Sequence, residues 1–228
     1  MVHNSWAIVI AGGKGEQLSA EATIPYLYLN GKPVLTYSLQ AFERCPEIDG
    51  VILIVDKERI ESVTGMVQMF GCSKVKKLMP AAVHRQGSVI SALKELDEEV
   101  KVVTIHDTSR PCITAEMISE TVKAAKRYGS GVAAVALKDY VKEVEKGLTV
   151  KNSFEDISLW SVQSPQTFKK DVLLKGYEAL AKKKIQTEDD SLAYEKTKES
   201  VHLVESKPLN IKIRTVDDLS SLTKLLKS

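Results

Sequence analysis

Apolar positions along this chain follow two alternating rhythms. Unbroken runs such as Ala7-Ile8-Val9-Ile10, Gly50-Val51-Ile52-Leu53-Ile54-Val55 and Val102-Val103-Thr104-Ile105 are short and rich in β-branched residues. They predict strands buried on both faces. Between them the spacing turns helical. From Lys32 to Cys45, Leu35, Leu39 and Phe42 share a face and the pattern stops before Pro46. Glu58 to Phe70 is a second helix, closed by Gly71, and Ser88 to Leu96 a third, with Val89, Ala92, Leu93 and Leu96 on one side. Thr114 caps a fourth that runs through about Tyr128 to Gly129. Lys74 to Met79 and Val132 to Leu137 add two strands. Such alternation predicts an α/β chain with a parallel sheet covered on both faces, its ligands at the carboxyl ends of the strands.

After Leu137 the rhythm changes. Lys138 to Phe154 alternates polar and apolar residues around Lys146-Gly147, which predicts a β-hairpin arm over about residues 138–156. Trp160 to Phe168 reads as a loop, Lys170 to Lys184 as a helix, and Thr187 to Glu199 as an acidic segment that becomes helical. His202 to Glu205 and Asn210 to Ile213 read as two short closing strands, and Thr215 to Lys227 as a last helix. No repeat or linker interrupts the chain, so one domain over residues 1–228 is the economical organisation.

The first strand breaks into Ala11-Gly12-Gly13-Lys14-Gly15. Clustered glycines let a backbone bend and bring its N–H groups against an anion. The spacing matches neither the P-loop nor the dinucleotide fingerprint. Taken alone, it is equally a tight strand-to-helix turn. Asn30-Gly31 is a tight-turn pair.

Composition narrows the class without deciding it. The 228 residues are 43% hydrophobic and 27% charged, with a net charge of +2. That balance argues against nucleic-acid or membrane-surface binding. Cys45, Cys72 and Cys112 are widely spaced and odd in number, which suits a reducing cytosol. No apolar run approaches a membrane span, and no basic segment followed by an apolar one opens the chain. A cytoplasmic protein is expected.

Six motifs then fall in one order: AGGKGEQL at the first loop, HRQGSV ending at Val89, HDTSRP from His106, LWSVQSPQTF from Leu159, TEDDS from Thr187, and NIKI from Asn210. In this order the chain resembles the 2-C-methyl-D-erythritol 4-phosphate cytidylyltransferases and the related ribitol-5-phosphate cytidylyltransferases, over nearly its whole length. The resemblance implies a Rossmann-like, nucleotide-diphospho-sugar transferase-like fold: a mostly parallel sheet, helices on both faces and a projecting β-arm. It implies transfer of a cytidylyl group from CTP to a polyol phosphate, with Mg²⁺ and release of pyrophosphate. Methylerythritol phosphate, on the non-mevalonate isoprenoid route, is the acceptor by family. By position, the backbone of Ala11, Gly12, Gly13 and Gly15 holds the nucleotide, with Arg85 beside it, and Ala82 and Ser88 read the cytosine edge. Asp107 lies near ribose and metal, Arg110 and Thr187 on the acceptor side, and Lys212 reaches the phosphates. The arm implies a homodimer whose partner completes the site.

The chain departs from that pattern at charged positions. Gln17 stands where the family has an arginine and Tyr26 where it has a lysine, so two cations that flank the α-phosphate are replaced. Asp156 replaces an arginine that grips the acceptor phosphate, and Tyr140 replaces an acceptor-side threonine. Ala81 and Ala82 replace glycines, and Glu188 and Asp190 alter the acidic motif. Lys14, in the same loop, and Lys32, after the Asn-Gly turn, are the candidate substitutes. Three readings stay open: an enzyme with a shifted set of cations, a family member that binds without efficient turnover, or, given Asp156 and Tyr140, a transferase for another sugar or polyol phosphate such as ribitol 5-phosphate.

Several other residues have plainer readings. Lys14 can be a solvated loop lysine, and Arg110 and Asp107 can simply pair. His106 at a strand end reads as a packing or hydrogen-bonding residue. Glu188-Asp189-Asp190 reads as a solvated helix start, Trp160 and Phe168 as core, Lys182 to Lys184 as a solvated helix end, and Cys112 as a small apolar residue.

Overall fold

The computed structural model describes residues 4–13, 18–19, 22–154, 158–207 and 209–226. Among these, Ser5–Ala11 (β1), Gly50–Val55 (β4), Val75–Pro80 (β5) and Val102–Asp107 (β6) run parallel, joined by helices Val34–Arg44 (α1), Ile60–Met69 (α2) and Arg85–Glu95 (α3). Tyr28–Leu29 (β2) and Lys32–Pro33 (β3) flank the Asn30-Gly31 turn, whose φ values of 48° and 84° are those of a tight hairpin. Helix Ala115–Tyr128 (α4) starts at Thr114, which accepts from the Met117 amide, and leads into Ser130–Ala136 (β7). Val141–Val144 (β8) and Val150–Phe154 (β9) form the arm as a separate two-stranded sheet. Trp160–Lys169 (β10), Lys170–Lys182 (α5), Asp190–Glu195 (α6), Leu203–Glu205 (β11) and Val216–Leu225 (α7) follow.

The main sheet has seven strands in the order β11-β7-β10-β6-β1-β4-β5. Successive residues of its central strands point to opposite faces. Ala7, Val9, Val51 and Leu53 pack with α1, α2 and α4, while Ile8, Ile10, Ile52 and Ile54 pack with α3 and α5. That two-sided burial explains why these runs carry no polar alternation.

Three expectations are corrected. Trp160 to Phe168 is no loop but most of the sheet's antiparallel strand, between β6 and β7. Its polar side chains hid it: Thr167 is buried by hydrogen bonds to Thr104 and Thr121, both 2.9 Å, and Pro165 sits where the pairing register shifts between Val162 and Gln166. Trp160 is 37% exposed instead of core, whereas Phe168 is fully buried. Asn210 to Ile213 forms no strand. It runs along the sheet's end, where the Ile213 amide donates to the Ser109 carbonyl.

Candidate active site

The carboxyl ends of β1 and β5 open on one pocket lined by Gly12, Gly13, Ala82, Arg85, Ser88, Glu188 and Lys212. Only glycine fits at position 12, because a Cβ there would lie 2.5 Å from the Asp56 amide nitrogen and 2.6 Å from the Val55 carbonyl carbon. The loop is therefore pressed onto the end of β4. Next to it, the Gly13 amide donates to Asp56 Oδ1 at 2.9 Å, and the Tyr26 hydroxyl donates to the Ala11 carbonyl at 3.1 Å. Burial, and then the Asp56 charge, push the Tyr26 phenol far above its ordinary range, so it stays neutral. Arg59 lies over the same ring, 5.1 Å from its centroid.

On the opposite wall, Ser88 Oγ accepts from the Ala82 amide at 2.8 Å, which folds the 81–84 turn against α3. That bond uses a lone pair and leaves the Ser88 hydroxyl proton to be donated. Helix α3 starts at Arg85, three residues ahead of the predicted start, so Arg85 projects from its first turn.

Arg85 ties the site together. Its Nε donates to Asp107 Oδ1 at 3.1 Å, and its two terminal nitrogens grip Asp190 at 2.8 and 2.7 Å. Tyr177 adds a hydrogen bond to Asp190 Oδ1. The other Asp107 oxygen accepts from Lys212 Nζ at 3.0 Å. Burial pushes the Asp107 carboxyl upward, but the Arg85 and Lys212 charges outweigh it and hold the group well below the usual carboxylate range. The result is an ionised carboxylate that presents Lys212 to the pocket.

Asp190 is thus not a solvated helix start: it is 1% exposed and buried in an ion pair. Asp189, by contrast, caps α6 by accepting from the Ser191 amide. The Arg110 guanidinium donates to the Asn210 carbonyl at 2.7 Å, and the residue is 7% exposed. Thr187 bonds the Asp189 backbone through its hydroxyl and Gln86 through its amide. Tyr140, at the foot of the arm, is 85% exposed and does not line the pocket. Lys32 is not a substitute cation here. Its ammonium stacks on Tyr37 and donates to Gln40, facing a different groove. Lys14, Gly15, Gln17 and Asp156 lie outside the described residues.

His106 keeps its structural reading. It is the penultimate residue of β6, fully buried between Ser38 Oγ at Nε2 and Ser164 Oγ at Nδ1, both 3.1 Å away. Burial pushes its pKa down to about 3 from 6.5, so the folded state holds it neutral. Below about pH 6.5 the unfolded chain binds a proton that the folded chain refuses, and stability falls as pH drops toward about 3. Between pH 7.5 and 5 this group is expected to remove about 2 kcal/mol. Urea unfolding at the two pH values should show that loss, and His106→Gln should flatten it. An equal slope in the variant would reject the assignment.

Several site features were not foreseen: the Asp56 latch on Gly13, the Arg85–Asp190–Tyr177 cluster, and the Ser38–His106–Ser164 chain. Only the acidic motif offered a signal, and it was compatible with a solvated helix start.

The family model described as 2-C-methyl-D-erythritol 4-phosphate cytidylyltransferase matches residues 5–228. The chain belongs to this family. A protein of that name from Clostridium botulinum (strain 657 / Type Ba4) is 33% identical over 213 residues, 93% of each chain. One from Alkaliphilus oremlandii (strain OhILAs) is 31% identical over 222 residues, 97% of this chain and 94% of the relative. The crystal structure of 4-diphosphocytidyl-2C-methyl-D-erythritol synthase from Anaerococcus prevotii DSM 20548 superposes with a TM-score of 0.86 at 26% identity. It covers 98% of this chain and is itself covered to 96%. The cytidylyltransferase family is a family of enzymes, and its mostly parallel α/β sheet is the one seen here. No helix among the described residues is long and apolar enough to cross a membrane.

Proposed function

We propose that this protein transfers CMP from CTP to 2-C-methyl-D-erythritol 4-phosphate, at a rate below that of a member with the full set of cations. The observation that carries the reading is one pocket uniting the Gly12-Gly13 loop, the Ser88-clamped turn and Lys212 at the strand ends. In the reaction an oxygen of the acceptor phosphate forms a bond to the α-phosphorus of CTP. The bond from that phosphorus to the β-phosphate bridging oxygen breaks, and pyrophosphate leaves. No protein nucleophile is required, so the residues position anions and offset developing charge.

Their roles follow from their surroundings. Ala11, Gly12 and Gly13 form the wall against which the nucleotide lies. Ala82 and Ser88 face the cytosine edge, where the Ser88 proton supplies a donor. Lys212, oriented by Asp107, meets the phosphates, and Arg85, in the wall beside the nucleotide, also holds Asp107 in place. Arg110 and Thr187 shape the acceptor side. No cluster of three or more metal-ligating side chains occurs among the described residues. Asp107 keeps spare lone pairs beyond its two ion-pair bonds, enough for one position on a Mg²⁺ otherwise held by nucleotide phosphates. When bound, that ion supplies charge neutralisation. The exposed Tyr140, Val144, Leu148 and Val150 of the arm suit a homodimer contact, which sedimentation at twice the 25.2 kDa chain mass would support and a monomer would reject. The three free cysteines fit a reducing cytoplasm.

A second reading, nucleotide binding with negligible turnover, is favoured by Tyr26. Its neutral hydroxyl is spent on the Ala11 carbonyl, and the Asp56 carboxylate occupies the Gly13 amide. Pyrophosphate release with CTP, Mg²⁺ and either methylerythritol phosphate or ribitol 5-phosphate separates the readings. Release with the first acceptor supports the proposal, and release only with the second reassigns the acceptor, as Tyr140 and Asp156 would allow. CTP binding without release from either favours the second reading. Absence of CTP binding rejects both.

A further inference from the structure

A second groove, of about 400 Å³, lies between α1, the start of α4 and the end of α7. Its walls are largely apolar, from Pro111, Ile113, Met117, Leu225 and Leu226. Three cations from separate segments line it: Lys32 from β3, Arg44 from the end of α1, and Lys207 from the segment after β11. No acidic residue is among the described lining residues. Glu116, on the first turn of α4, is exposed and interacts with Lys207 and Arg44.

Lys32 is the telling member. Its hydrogen-bond partner is the neutral Gln40 amide at 2.8 Å, and its ammonium rests 4.0 Å from the Tyr37 ring centroid. Burial, then the like charge of Arg44, push its pKa below the ordinary lysine value. Two cations held close with only neutral groups beside one of them is an unfavourable arrangement that an anion would relieve. Three cations lining a groove with no acidic residue among its described lining residues complement a phosphate monoester dianion. The apolar walls call for an organic substituent, and the volume lies within the range of small-molecule sites.

We infer that this groove is a second ligand site, which takes a small organic phosphate monoester with its phosphate on Lys32, Arg44 and Lys207 and its apolar part against Leu225 and Leu226. The site is independent of the proposed transferase reaction and holds whether or not the protein turns over CTP. Its wall is shared with the active site: the Asn210 carbonyl takes the Arg110 guanidinium, and Lys212 is two residues on.

Phenyl phosphate is the probe, titrated into the full-length ¹⁵N-labelled protein with and without CTP, with phenol as the control. The expected result is saturable shifts of amides in α1, at residues 112–117 and at residues 225–226, retained when CTP is present. Lys32→Met should weaken binding by about tenfold, because a charge-assisted contact is lost. Lys207→Met, at an exposed position that cannot disturb the core, should weaken it as well. Shifts confined to the Gly12 and Ser88 pocket, equal affinity for phenol, or unchanged affinity in both variants would each overturn the inference.

Discussion

Gln17→Arg combined with Tyr26→Lys is expected to raise the rate of pyrophosphate release by at least about 10²-fold, the scale of one preorganised donor at a reacting centre. The argument starts at Tyr26. Its phenol is kept neutral by burial and by Asp56, and its hydroxyl is committed to the Ala11 carbonyl at the root of the glycine loop. A lysine at this position has a comparable reach and a permanent charge, and it stands one carbonyl away from Gly12-Gly13. The charge also offsets Asp56, whose carboxylate sits on the Gly13 amide where an anion would otherwise be received. Each single substitution should recover less than the pair, because groups acting on one transition state are not additive. The change should appear in kcat more than in KM, as the added charge meets the phosphorus where negative charge develops. In the unaltered chain, Lys14→Ala should remove whatever activity is present. A double variant no faster than the parent, alongside a parent indifferent to Lys14→Ala, would refute this account of the missing cations.

Arg85→Met is the second large effect, and its expected outcome is a loss of about 3–5 kcal/mol in stability. Removing the guanidinium leaves Asp190 buried and uncompensated, with Tyr177 as its remaining hydrogen-bond donor in the cluster. Burial already pushes the Tyr177 phenol well above its ordinary range, so it donates without sharing the charge. For a chain of this length the melting temperature should fall by on the order of 10 °C. Arg85→Met with Asp190→Leu should regain much of that loss, since an apolar pair of similar volume replaces a buried ion pair at little net cost. Calorimetry of both variants decides the matter. A shift below about 2 °C in the single variant would mean that the ion pair contributes nothing measurable. Activity gives an independent reading: with Arg85 gone, Asp107 keeps Lys212 but loses its fixed orientation. The double variant should therefore refold to near-parent stability yet stay catalytically weak.

The sheet was legible wherever burial on two faces forces unbroken apolar runs, as in β1, β4 and β6. The arm was legible because its alternation and the Lys146-Gly147 turn are local. The strand β10 was not. Its Ser, Gln, Thr and Pro residues look like a loop until Thr104, Thr121 and Asp189 supply their hydrogen bonds from elsewhere in the chain. The same holds for Asp190. A carboxylate beside two others reads as solvated, and only Arg85, 105 residues away, makes its burial tolerable.

What the sequence determined by itself is the alternation of buried strands and helices as far as β7, the arm, the glycine loop at the first strand end and the family motifs. These depend on periodicity and on residue types needed at fixed local spacing. The tertiary structure alone decided which charges meet. It brought Arg85, Asp107, Asp190 and Lys212 into one cluster, turned Arg110 toward Asn210, and set Lys32 beside Arg44 in a groove of its own. Charge partnerships of this kind join residues far apart in the chain, and burial then fixes their strength. Neither separation in space nor burial is written in local spacing.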